Sequence, residues 1–214
     1  MDFVTVSNEL FQGFLVTLKI FFITLIFAIP LGIILSICSM SKFKPLKYIT
    51  KLLILVMRGT PLMLQVIAVY YGPAILFSWK LMPRLFAVLV AFIINYACYF
   101  AEIFRGGIES VSNGQFEAGM VLGLTKTQIF FKVVLLQMIK RILPSMSNEV
   151  ISLVKDTSIA RVIVVTEILK VAGDFTAKGL IWPLFYTGVY YLVIIGILTL
   201  IFGLLEKKLN YFKV

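Results

Sequence analysis

The chain has no histidine, two cysteines and only 10 acidic residues among 214. Without histidine or a cysteine cluster it lacks the usual nitrogen and sulfur ligand sets for a metal, and no carboxylate pair stands at an obvious acid and base spacing. A membrane enzyme is therefore not expected. Nowhere does G-x-x-x-x-G-K-[ST] occur, the loop whose backbone amides cradle phosphates, so the chain does not bind ATP by that device. Cys38 and Cys98 both lie in apolar stretches and read as small buried hydrophobes rather than as a disulfide. The N-terminal segment carries Asp2 and Glu9 in place of a basic run before a short apolar core. No cleavable signal is expected, and the first span is expected to direct insertion.

What the chain has is hydrocarbon. Hydrophobic residues make up 61% and charged residues 14%, and the mean hydropathy is +1.04, which places the chain in lipid. A bilayer core of about 30 Å asks for roughly 20 apolar residues per helix, so the length allows a handful of spans in one domain, residues 1–214. The expected fold is all-α and polytopic, with about five transmembrane helices. Span one begins near Leu10, is uncharged between Lys19 and Lys42, and contains Pro30. Span two covers residues 59–79 and is entered through Leu52 to Met57. Span three runs from about Leu85 to Ala101, and span five from Gly179 to Leu205. Residues 148–169 are read as span four although Lys155, Asp156 and Arg161 interrupt them.

The formal charge of +10 marks cytoplasmic loops better than it marks a nucleic-acid surface. Lys42, Lys44, Lys47 and Lys51 follow span one. Arg105, Lys126, Lys132, Lys140 and Arg141 follow span three, and Lys207, Lys208 and Lys213 form the tail. This distribution puts the N-terminus outside and the C-terminus in the cytoplasm. Residues 106–147 form a long cytoplasmic loop with internal order. Ser112 with Gln115, and Thr125 with Gln128, each match a capping box, and Gly123 between them suits a left-handed helix end. Two short helices are predicted. Phe116, Met120 and Leu124 would give the first an apolar stripe, either to enter a groove on another protein or to lie on the chain's own membrane domain.

The stretch Gly114-Gln-Phe-Glu-Ala-Gly-Met-Val-Leu-Gly123, followed by Ile142-Leu-Pro144, resembles the EAA signature of binding-protein-dependent ABC import permeases. Arg58-Gly-Thr-Pro-Leu62, Tyr99-Phe-Ala-Glu-Ile-Phe-Arg105 and Ser147-Asn-Glu-Val-Ile-Ser-Leu-Val-Lys-Asp-Thr-Ser158 resemble the branch for polar amino acids, the histidine, glutamine and arginine permeases. The resemblance implies a type I importer fold in a bacterial inner membrane and two facing permease copies. It also implies a cytoplasmic ATPase dimer that holds ATP and magnesium, and an external substrate-binding protein. By the same resemblance Glu117, Ala118, Gly119 and Gly123 belong to the ATPase-coupling loop, with Glu117 reaching into the ATPase. Gly119 departs from the family, which usually has a second alanine there.

An ionisable or amide side chain at bilayer depth needs a cavity or a partner. Asp156 either contacts substrate or pairs with Arg161 or a basic group on another span. Its neighbour Lys155 diverges from it by about 100 degrees around a helix. Glu102 and Arg105 can pair on one helix face. Asn95 and Gln65 serve either as bonds between helices or as ligand contacts. An amino acid zwitterion needs donors for its carboxylate and acceptors for its ammonium, and Asn95, Gln65, Asp156 and Lys155 offer both. For a cationic side chain, Glu102 and Asp156 are the natural counter-charges. Arg58-Gly59-Thr60-Pro61 reads as a hinge or half-helix end, or as an ordinary helix entrance. An ion-coupled secondary transporter with Asp156 and Glu102 as carriers is the alternative; it would need no ATPase, and the absence of repeats and the presence of the docking loop count against it.

Overall fold

A computed structural model describes residues 2–209 of the chain, so Lys213 of the basic tail lies outside the described residues. The order is α1 (Phe3–Ser39), α2 (Lys44–Gly59), α3 (Leu62–Phe77), α4 (Arg84–Glu109), α5 (Asn113–Val121), α6 (Lys126–Ile129), α7 (Leu135–Asp156), α8 (Ile168–Ala177) and α9 (Trp182–Leu209). A π turn, Phe130–Val134, joins α6 to α7, and a 3-10 segment, Thr157–Ile163, follows α7. Among the described residues there is no strand, and the all-α expectation holds.

Three helices, α1, α4 and α9, are each long and apolar enough to cross a membrane. In α1 the buried face is not the most apolar one. Along α1 the buried positions include Thr17, Thr24, Ser36 and Ser39, whereas Phe22, Ile26, Phe27, Ile33, Ile34 and Ile37 are exposed. Lipid is as apolar as leucine, so the large aliphatic groups can face outward while small and hydroxylic ones let helices approach. α4 is the central helix. Its Ala87, Val88, Ala91, Phe92, Tyr96, Ala97 and Phe100 form the middle of a core that takes in Ile20 and Phe21 of α1, Val66 and Tyr70 of α3, and Leu153 and Val154 of α7.

Two expected spans are not single helices. Leu52 to Met57 do not lead straight into span two: α2 and α3 are bent by 109° across Thr60 and Pro61, and only as a pair do they make a fourth crossing. The cause is local. Pro61 disfavours helical geometry in the residue before it, and Thr60 is extended, with φ −119° and ψ 145°. Lys44, Lys47 and Lys51, expected in a loop, lie on α2. Nor does one helix cover 148–169. α7 ends at Asp156, the 3-10 segment ends at Val164 in the left-handed region with φ 61°, and α8 starts only at Ile168. α7 is 22 residues long, but Lys140, Arg141, Glu149, Lys155 and Asp156 keep it out of the set that is apolar enough to span.

The loop expected over 106–147 is shorter than the sequence suggests. The first predicted helix is α5. The second is not short, because α6 runs through the π turn into α7 without a break in the chain's helical path. Thr125 and Gln128 form the full capping box, with Gln128 N donating to Thr125 Oγ1 at 3.3 Å and Thr125 N to Gln128 Oε1 at 2.9 Å. Ser112 sits at the N-cap of α5 with no side-chain hydrogen bond to the helix. Gln115 instead accepts from Gln137 Nε2 on α7 at 3.4 Å, so it is turned away from the cap. The stripe of Phe116, Met120 and Leu124 is divided. Phe116 and Leu124 pack on Val111, Ile129 and Val134, and Met120 is exposed.

Candidate functional site: a polar cavity where two helices break

The end of α2, the middle of α4, the end of α7 and the 3-10 segment enclose a cavity of about 580 Å³. It is lined by Arg58, Gly59, Thr60, Pro61, Leu62, Asn95, Tyr96, Tyr99, Glu149, Ser152, Asp156 and Ile159. Two further recesses, of about 620 and 460 Å³, share Arg58 and Tyr99 with it and add Glu102. Arg58, together with Tyr99, is therefore common to all three. Its guanidinium lies over the Tyr99 ring, 5.2 Å from the centroid, and its Nη1 is 3.6 Å from Glu102 Oε2. A cation over an aromatic face is attracted by the ring quadrupole and keeps its outward N–H groups free for a ligand.

The cavity lining also carries two acidic residues, Glu149 and Asp156. Asp156 Oδ2 accepts from the Tyr96 hydroxyl at 2.7 Å, so its partner is neither Arg161 nor a basic group of another span. One hydroxyl leaves a carboxylate with spare acceptor positions. Glu149 adds a second carboxylate about two turns earlier on α7. Lys155 is exposed and does not line the cavity, in keeping with its angular divergence from Asp156.

The other expected polar residues are gathered at the break. Asn95 is buried, 4% exposed; its Nδ2 donates to Met57 O at 3.1 Å and to Gln65 Oε1 at 3.0 Å. Gln65 Nε2 donates to Met57 O at 2.8 Å, Thr60 Oγ1 at 2.9 Å and Thr60 O at 3.1 Å. Both amides bond helices together, and only Asn95 of the two lines the cavity. Glu102 is held by Arg105, with Nε to Oε1 at 3.0 Å and Nη2 to Oε2 at 2.6 Å. Arg105 Nη1 also donates to Glu109 at 2.6 Å. Glu102 lines the two further recesses and not the first cavity.

Sequence reasoning missed Glu149 and Glu167 and did not assign Arg58 to a site. Glu149 sits inside a quoted motif, but nothing in its neighbours separates it from a surface residue of an amphipathic helix. Glu167 is fully buried and caps α8, accepting from Leu169 N at 2.8 Å and Lys170 N at 2.7 Å. Its helix-start signal was hidden because the segment around it reads as a membrane span.

At the loop, Glu117 and Ala118 are exposed, as are Met120 (54%), Val121 (87%) and Leu122 (77%). Gly123 has φ 73°, the left-handed geometry that ends α5. Gly119 does not share that surface. It is buried, and a Cβ there would lie 2.6 Å from Ile129 Cγ1, so α5 rests closely on α6 and an added side chain would make Ile129 shift.

Residues 28–211 match the family model described as "Binding-protein-dependent transport system inner membrane component". The chain is 36% identical over 201 residues to the arginine transport system permease protein ArtQ of Bacillus subtilis, covering 93% of this chain and 91% of that protein. It is 35% identical over 202 residues to the L-cystine transport system permease protein TcyB of the same organism, covering 92% and 85%. A putative glutamine transport system permease protein GlnP of Rickettsia felis is 30% identical over 200 residues, covering 92% and 91%. Among solved structures, an amino acid ABC transporter with histidines superposes with a TM-score of 0.87 at 30% identity, covering 97% of this chain and 99% of that one. The MetNI methionine ABC transporter in an inward-facing conformation, at 13% identity, shares the fold with a TM-score of 0.73. The broken helices around Arg58 and Asp156 and the exposed loop at Glu117 are thus set in an ABC permease fold, and the chain belongs to the family of inner membrane components of binding-protein-dependent transport systems.

Proposed function

We propose that the chain is the permease of an ATP-driven importer for polar amino acids, and that the cavity at the two helix breaks is its substrate site. The observation that carries this reading is the division of charge in the cavity. Arg58 stands at the end of α2, and Glu149 and Asp156 stand on α7. A zwitterion fits that division: its carboxylate takes the outward N–H groups of Arg58, and its ammonium takes Asp156, whose free lone pairs are aimed by Tyr96. A cationic side chain would find a second acceptor in Glu149. The relatives named for arginine, glutamine and cystine transport support the amino acid class.

The chain supplies no catalysis of its own. ATP and magnesium belong to a separate ATPase dimer, which we place against α5. Glu117 is the charged contact there, and Met120, Val121 and Leu122 are the apolar face, since a cluster of exposed apolar side chains on a polar loop marks a docking surface. A second permease copy faces the first, the binding protein approaches from outside, where we place the N-terminus, and the C-terminus is cytoplasmic. Val121→Asp is expected to abolish co-purification with the ATPase while the permease still inserts and folds. Reconstitution with the ATPase and binding protein, followed by uptake of arginine, glutamine and cystine, tests the whole reading. Uptake that proceeds equally well without ATPase or ATP would replace it with an ion-coupled carrier.

A further inference from the structure

The break between α2 and α3 leaves the last carbonyls of α2 without their helical partners, and in apolar surroundings such a group must be paired. One of them, Met57 O, is held twice: by Gln65 Nε2 at 2.8 Å from α3 and by Asn95 Nδ2 at 3.1 Å from α4. The two amides also bond each other at 3.0 Å, and Gln65 further grips Thr60 through its hydroxyl and its carbonyl. The residues so clamped, Met57 and Thr60, flank Arg58. Gln65 itself does not line the cavity.

We propose that Gln65 is a positioning residue for substrate: it fixes the end of α2 and thereby aims the Arg58 guanidinium into the cavity, without touching the ligand. The inference rests on the reading of the cavity as the substrate site. Arginine reaches its ligand on a flexible stem, so the place from which the stem leaves the backbone decides which N–H groups face inward. At a continuous helix that place is fixed by the helix itself. At a 109° break the hydrogen bonds of the helix no longer fix it, and Gln65 bonds both sides of the break, Met57 on the helical side and Thr60 on the extended side, where the Thr60 hydroxyl also donates to Val56 O at 2.8 Å. Gln65 needs both halves of an amide to do so, the N–H groups for the carbonyls and the oxygen for Asn95.

The test uses the reconstituted transporter with radiolabelled arginine, glutamine and cystine as probes. Gln65→Leu and Gln65→Glu, which lack the N–H donors, are expected to raise KM about tenfold or more and to change kcat less than about threefold, since they misplace a binding group and leave the ATPase contacts intact. On an Arg58→Lys background the same substitutions are expected to raise KM less than about twofold, because a residue that acts only through another loses its effect when that other is altered. A thiol introduced by Gly59→Cys, in a chain carrying Cys38→Ala and Cys98→Ala, reports the helix end directly; a Cβ at Gly59 meets nothing within 4 Å. Its labelling rate is expected to rise severalfold in Gln65→Glu. Unchanged KM in both Gln65 variants, or the same fold loss on the Arg58→Lys background, would overturn the positioning role and leave the substrate site standing. Lack of wild-type uptake of all three probes would overturn both.

Discussion

α1 and α9 run unbroken for 37 and 28 residues, whereas the α2–α3 pair and α7 stop partway and turn. The difference in chemistry follows the difference in backbone. An uninterrupted helix satisfies its own peptide groups and can afford a surface of leucine, isoleucine and phenylalanine. A broken one exposes carbonyls and amides that side chains must take up. At the first break these are Asn95, Gln65 and Thr60; after the second, Glu167 takes the free amides of α8. Two of the charged groups of the cavity, Arg58 and Asp156, stand at the same two places. Asn95, Gln65 and Glu167 serve the backbone at the breaks, and Arg58 and Asp156 stand beside them.

Four substitutions separate the two kinds of region. Asn95→Leu removes two hydrogen bonds from a buried position and should have the largest effect. At about 1–3 kcal/mol for a buried group left unpaired, melting of the detergent-solubilised protein is expected to fall by several degrees, with uptake lost. Asp156→Asn keeps an oxygen for the Tyr96 hydroxyl and the shape of the helix end but loses the negative charge. Its melting temperature should stay near wild type while amino acid affinity falls about tenfold or more, the scale of a charge-assisted hydrogen bond. Glu167→Gln retains one acceptor oxygen for two backbone amides. It is expected to lower stability by about 1 kcal/mol, read as a small shift in melting temperature, with affinity unchanged. Thr24→Val in α1 should do least. The Thr24 hydroxyl is buried without a hydrogen-bond partner, so replacing it with a methyl group is expected to leave stability unchanged or slightly raised. If Thr24→Val proved as damaging as Asn95→Leu, the contrast between continuous and broken helices would have no energetic content.

The sequence was most readable where the helices are continuous. The uncharged run of α1, the run of α9 and the polar end of α4 at Glu102 and Arg105 follow from length and hydropathy. Which face of α1 is buried could not be read, because Thr17, Thr24 and Ser36 turn inward while Phe22 and Ile26 turn outward. That inverts the pattern by which soluble helices declare their cores. At the first break, Pro61 signalled the interruption, but the same local sequence suits a helix entrance. The bend depends on Asn95, 38 positions from the Met57 carbonyl that it holds. At the second break the composition hardly changes between α7 and the 3-10 segment, and Val164 gives no warning of a left-handed conformation. In the loop, Thr125 formed its capping box and Ser112 did not, since Gln115 was drawn to Gln137 on α7. Of the site, Asp156 and Asn95 were legible as polar groups in apolar runs. Their neighbours Arg58 and Glu149 were not, because each has an equally ordinary place at the end of a helix or on its polar face.

The central claim, that charges left at the helix breaks recognise the transported amino acid, is tested most directly by a paired uptake measurement. Proteoliposomes holding the permease, its ATPase and its binding protein are assayed for arginine, glutamine and cystine uptake, with and without ATP, in the wild type and in Arg58→Ala. The prediction is ATP-dependent uptake of at least one of the three by the wild type, and its loss in Arg58→Ala with the ATPase still bound to the permease. Uptake by Arg58→Ala equal to that of the wild type would contradict it.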